Sequence, residues 1–119
     1  MTDGAAAARR IGYSDFDKID VRVGTVLTAG LNEKALKPAY VLEIDFGPEL
    51  GIKTSSAQIT QAYDPESLIG KQIVAVVNFE PKRVAGVRSE VLILAIVQPD
   101  GPTVLLMPDM PVKNGSRMA

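Results

Sequence analysis

Six short apolar or β-branched runs, residues 20–28, 40–46, 52–56, 72–77, 90–97 and 103–107, recur along the 119-residue chain, and no long amphipathic helix separates any two of them. Without helices to cover an open sheet, short strands bury their dry faces best as an antiparallel barrel, closed or nearly so. The clearest run is residues 40–46, where Tyr40, Leu42, Ile44 and Phe46 alternate with Val41, Glu43 and Asp45. Period two predicts a strand with one buried face, worth ~1.5–3 kcal/mol for each large side chain fully removed from water. In the first run Val21, Val23, Thr25 and Leu27 alternate with Arg22, Gly24, Val26 and Thr28. Gly24 has no side chain to pack, so a bulge or bend is expected there.

The order of the runs narrows the barrel further. Three strands in succession, a short helical segment and two more strands is the order of the five-stranded OB-fold, whose binding face lies between the loops after strands one and four. The expected architecture is therefore all-β: a five-stranded OB-fold barrel with a short amino-terminal helix, a short helix between strands three and four, and a carboxyl-terminal extension carrying the sixth run. Ser14 and Asp17 have the spacing of a capping box, with Tyr13, Phe16 and Ile19 on one side of the helix they would start. Residues 57–63 and 66–69 are expected to form helical turns. Residues 1–12, with their alanine run, read as a flexible extension to a domain spanning residues 13–119.

Composition removes most enzyme chemistries. The chain has no cysteine and no histidine, which excludes disulfides, thiolate or imidazole metal sites and the usual neutral-pH general base, so neither a metal nor a cofactor is expected. The segment GPELGIKTS, residues 47–55, is not a phosphate loop, because Ile52 separates Gly51 from Lys53 and a strand runs through the lysine. Ser55 and Lys53 make no catalytic pair, and a hydrogen-bonded structural serine is expected instead. Carboxylates are scattered, without the grouping of a calcium loop. No apolar run approaches the ~20 residues that would span a bilayer. The amino terminus places Arg9 and Arg10 after its alanines, the wrong order for a secretory signal, so a cytoplasmic protein is expected.

What remains is binding. Net charge is −1, so no global field draws the chain to a polyanion. Local charge does collect: loops 29–38 and 78–89 hold Lys34, Lys37, Lys82, Arg83 and Arg88 against Glu33 and Glu80. The second loop also carries Phe79, Pro81, Val84 and Val87 where water is expected, a mixture that binds ligands more often than it stabilises folds. Solvated turn cations and a barrel-end plug of Phe79, Val84 and Val87 are the plainer readings of the same residues. Whether the two loops meet in space is left open by the sequence.

The segments DVRVGTV, ALKPAYVLEIDFG, GIKTSSAQIT, LIGKQIVAVVNFEPKRVAGVRSEVLIL and NGSRMA resemble the CsaA-type secretion chaperones, small relatives of the tRNA-binding domain appended to methionyl-tRNA synthetases. The resemblance covers residue 14 to the end. It implies a cytoplasmic, non-catalytic OB-fold homodimer that holds unfolded or export-bound polypeptides, its dimer built from residues 15–19 and 104–118. The polypeptide site implied is Phe79, Pro81, Val84 and Val87 within a positive surround. The alternative it implies is tRNA binding through Lys34, Lys37, Lys82, Arg83, Arg88 and Ser89. Two departures stand out: Glu90 follows Ser89 where the synthetase-appended relatives carry no acid, and Glu80 replaces a proline. Both acids argue against a dedicated polyanion site.

Overall fold

Strands β1 (Val21–Leu31), β2 (Tyr40–Asp45) and β3 (Ile52–Ala57) pair antiparallel in succession. After the short helix α2 (Pro65–Leu68), β4 (Gln72–Val76) returns to the other side of β1. In this computed structural model, which describes residues 9–119, the main sheet has five strands. Most of the extension expected over residues 1–12 lies outside the described residues.

The barrel nearly closes, and side chains do much of the closing. The Thr54 amide donates to Glu90 Oε1 at 2.9 Å, the Ser56 amide to Ser89 Oγ at 3.2 Å, and Ser55 Oγ to the Val91 carbonyl at 2.9 Å. One main-chain bond, from the Glu90 amide to the Thr54 carbonyl at 2.8 Å, completes the seam. Ser55 thus has the structural role expected of it.

Tyr40, Leu42, Ile44 and Phe46 are all buried, as their alternation predicts, and pack with Val26, Leu68 and Ile73 in the barrel interior. Gly24 corrects the expectation placed on it. The register of β1 against β2 shifts between Val26 and Thr28, so the bulge lies at Leu27. Gly24 is bare because the core is close: a Cβ there would stand 2.6 Å from Ile44 Cγ2 and 2.8 Å from Phe46 Cδ1. Gly24→Ala should therefore destabilise the fold by ~1–3 kcal/mol through overpacking. The check is a urea midpoint; an unchanged midpoint would mean that Ile44 and Phe46 can give way.

The fifth run is not one strand. Residues 92–93 form β7 (Leu92–Ile93), which pairs with β4, whereas residues 95–96 form β8 (Ala95–Ile96) in a separate hairpin with β9 (Val104–Leu105). The charged loop holds structure too, a hairpin of β5 (Lys82–Val84) and β6 (Val87–Ser89). Its turn is Ala85-Gly86, with φ of +46° and +82°, the positive pair that a two-residue hairpin requires. Asn-Gly would have announced it; Ala-Gly does not. Residues 57–63 are not helical, since Ile59 turns into the core and the Tyr63 carbonyl accepts the Tyr40 hydroxyl at 2.6 Å. The amino-terminal helix α1 (Tyr13–Asp17) is capped differently from expectation: the Asp15 carboxylate accepts the Gly12 amide at 3.1 Å, and Gly12, not Ser14, is the cap residue.

On the face of β1 turned away from Gly24, Val21 and Val23 form a second buried cluster with Val74 and Val76, covered in part by Leu94 and Leu106. The carboxyl-terminal tail completes this side. The Gly115 amide donates to the Val23 carbonyl at 2.7 Å, Val23 to Ser116 at 3.0 Å, and Met118 to Val21 at 2.8 Å. Arg22 ties the tail down, bonding Asp20 through Nε at 2.6 Å and the Gly115 carbonyl through Nη1 at 2.9 Å. The hydrogen bond with Asp20 raises the pKa of Arg22 above the usual arginine value. Arg117 reaches the Asp17 carbonyl at 2.9 Å, fastening α1 to the tail.

Candidate ligand-binding face

The β5–β6 hairpin is paired as a sheet of its own, joined to β3 at Ser89, and divides the surface beside it. On one side, Phe79, Val84, Val91 and Leu92 line a groove of about 350 Å³ with Lys82, Glu80 and Glu90 among its polar walls. Phe79 and Leu92 are each about half exposed, at 52% and 51%. Chain geometry produces this directly: β4 ends at Val76, Asn78 binds back to the Asp20 amide at 2.9 Å, and the next residue has no core left to enter. Leu92 alternates with buried Ile93 and so faces outward.

On the other side of the hairpin lies a wider groove of about 630 Å³, formed by Lys34, Leu36, Lys37 and Ala39 with Val84 and Ala85 opposite. The two loops therefore converge. A Cβ on Gly86 would stand 3.2 Å from Lys34 Cδ, and Asn32 Nδ2 lies 3.5 Å from the Ala85 carbonyl. Among the described residues lining this groove there is no carboxylate. Glu33 lies in a shallower neighbouring depression of about 300 Å³, where Val87 is also found.

The residues singled out from the sequence are thus sorted by the fold. Phe79, Val84, Lys82 and Ser89 meet in the apolar groove, and Lys34 and Lys37 in the basic one. Val87 lies on the Lys34 side, apart from Phe79. Pro81 is exposed at the root of the hairpin. Arg83 and Arg88 are direct cross-strand partners, an arrangement that costs stability when like charges face each other. They turn apart, Arg83 to the Gly86 carbonyl at 3.2 Å and Arg88 to Glu90 at 3.6 Å.

Of Glu80 and Glu90, the two acids set against anion binding, Glu90 is not free. Glu90 spends one oxygen on the Thr54 amide and holds the other near Arg88, so its charge is compensated within the seam. Ser89 is also engaged in the seam through its hydroxyl. The sequence reading missed Val91, Leu92 and Leu36. Leu36, fully exposed between two lysines, was the most visible signal.

Among the described residues no group of three or more potential ligands could hold a metal ion, and no helix is long and apolar enough to cross a membrane. The sequence pattern of the family described as "Putative tRNA binding domain" matches residues 21–117, from β1 to the tail. The chain belongs to this tRNA-binding domain family. The resemblance to CsaA-type proteins holds at the level of structure: the chaperone CsaA of Bacillus anthracis superposes with a TM-score of 0.88 and 55% identity, covering 93% of this chain and 100% of that one. The CsaA chaperone of Picrophilus torridus follows at 0.86 and 48%, covering 92% and 100%. The methionine–tRNA ligase of Porphyromonas gingivalis is 37% identical over 114 residues, 96% of this chain. The chain spans only 16% of that ligase's length.

Proposed function

We infer that this protein is a non-catalytic, cytoplasmic, dimeric binding protein that holds unfolded or export-bound polypeptides in the Phe79 groove. The observation that carries the reading is that Phe79 and Leu92, each half exposed, lie together with Val84 and Val91 in one open groove, and are not scattered singly over the surface as other exposed apolar side chains can be. Covering the exposed half of each would contribute about half of the ~1.5–3 kcal/mol of full burial. Likeness to two chaperones supports this use of the groove. Dimerisation is supported by apolar side chains left open on the two segments assigned to it: Ile19 after α1, and Met110, Val112 and Met118 in the tail.

A second ligand has its own observation. The basic groove with Lys34 and Lys37, and the opposed Arg83 and Arg88, hold positive charge at some cost in stability, which a phosphate backbone would relieve. Transfer RNA is the ligand that the family points to.

Salt separates the two. Affinity for tRNA should fall with a log–log slope of about −0.7 to −0.9 for each phosphate contacted, whereas affinity for an unfolded preprotein should persist or rise in salting-out ions. If neither ligand binds at micromolar concentration, the proposal fails. A preprotein whose affinity collapses with salt as steeply as that of tRNA would remove the apolar groove from the account.

A further inference from the structure

The hairpin borders both grooves at once. Val84 lines the apolar groove on one side and the basic groove on the other, and Ser56 contributes to both floors. A wall shared by two binding sites transmits occupancy if it can move, and β5–β6 is anchored at its root but lightly held at its tip. It forms a two-stranded sheet of its own. Neither Val84 nor Val87 joins the buried core clusters of the described residues. Its root is held by the seam, Ser89 to the Ser56 amide at 3.2 Å and the Glu90 amide to the Thr54 carbonyl at 2.8 Å. At its tip the Asn32 side chain reaches the Ala85 carbonyl at only 3.5 Å, so it is the tip that can swing about a fixed root. The tip is also strained, since Ala85 holds a φ of +46° that alanine rarely adopts. An element with few buried contacts and stored strain shifts at far lower cost than the barrel beneath it.

We propose that the β5–β6 hairpin is a movable partition: filling either groove presses it toward the other, so each ligand weakens binding of its counterpart. This rests on the two-ligand reading above. Linkage requires the effect to be reciprocal, the same factor in both directions. It also requires a ternary complex, because the grooves are separate and the wall yields only so far.

The test uses the intact protein, an uncharged apolar peptide carrying a fluorophore, and tRNA. Each ligand is titrated at a series of fixed concentrations of the other; the neutral peptide removes direct charge repulsion between them. The Kd for peptide should rise with tRNA and level off roughly 5- to 20-fold above its value alone, and the Kd for tRNA should rise by the same factor. Affinities that stay flat, or that improve, overturn the partition. So does a Kd that climbs without levelling, since that is competition for one surface. If either ligand fails to bind by itself, the two-ligand reading falls, and the partition falls with it.

Discussion

Gly115→Ala should unfasten the carboxyl-terminal tail and cost the protein about 2–5 kcal/mol, the sum of backbone strain and a forced clash. Gly115 sits at a φ of +88°, and a Cβ on it would stand 2.6 Å from the Phe46 carbonyl oxygen. That neighbour is backbone of the strand end beside the core, so it cannot swing aside as a side chain would. Any displacement also breaks the 2.7 Å bond to Val23 and removes the carbonyl that Arg22 holds at 2.9 Å. Denaturant melts should show the loss, and amide exchange should locate it, with Val23 and Met118, whose amides bond across the strap, losing protection first. A midpoint within ~0.5 kcal/mol of the unsubstituted protein, the usual scatter of an inconsequential surface change, would show that the tail docks by other means.

The second large effect concerns ligands. Replacing Lys34 and Lys37 together with glutamine should weaken tRNA binding roughly ten- to a hundredfold at low salt and make the salt slope shallower by about 1.4–1.8. Phe79→Ser should do the converse, weakening unfolded polypeptide roughly 3- to 12-fold by removing about half of the ~1.5–3 kcal/mol of full apolar burial while tRNA binds as before. Phe79 is half exposed and outside the core clusters, so the substitution leaves the barrel intact. Equal losses of both ligands in both variants would show that one surface serves both, against the two-groove arrangement.

Much of this was legible in the chain itself because alternation is a direct record of burial. Tyr40, Leu42, Ile44 and Phe46 report a single dry face, and the strand order reports the barrel. Where the reading failed, a residue had two physical explanations with the same sequence signature. A glycine in a strand marks either a bulge or a close approach, and only the position of Ile44 and Phe46 decides for Gly24. An acid in a basic loop is either repulsive or already bonded, and only the Thr54 amide decides for Glu90. The site was half visible: exposed Phe79 and the five cations stood out, but their separation into two grooves depends on a hairpin whose Ala-Gly turn carries no strong signal. Val91 and Leu92 were hidden because they continue an ordinary strand pattern and differ only in which side faces out.

The strap across β1 has a consequence for how the chain is made. Arg22 and the Gly115 carbonyl it grips are 93 residues apart in sequence, so at about 5–20 residues per second the ribosome needs roughly 5–20 s between exposing one and delivering the other. Throughout that interval the amides and carbonyls of Val21 and Val23 that face the tail in the finished fold form an open β-edge, beside side chains whose cover at Leu94 and Leu106 is also still to come. A protein inferred to shield the unfinished chains of others therefore passes through its own synthesis with an unprotected edge, and early contacts with a second nascent copy are the hazard it must outrun.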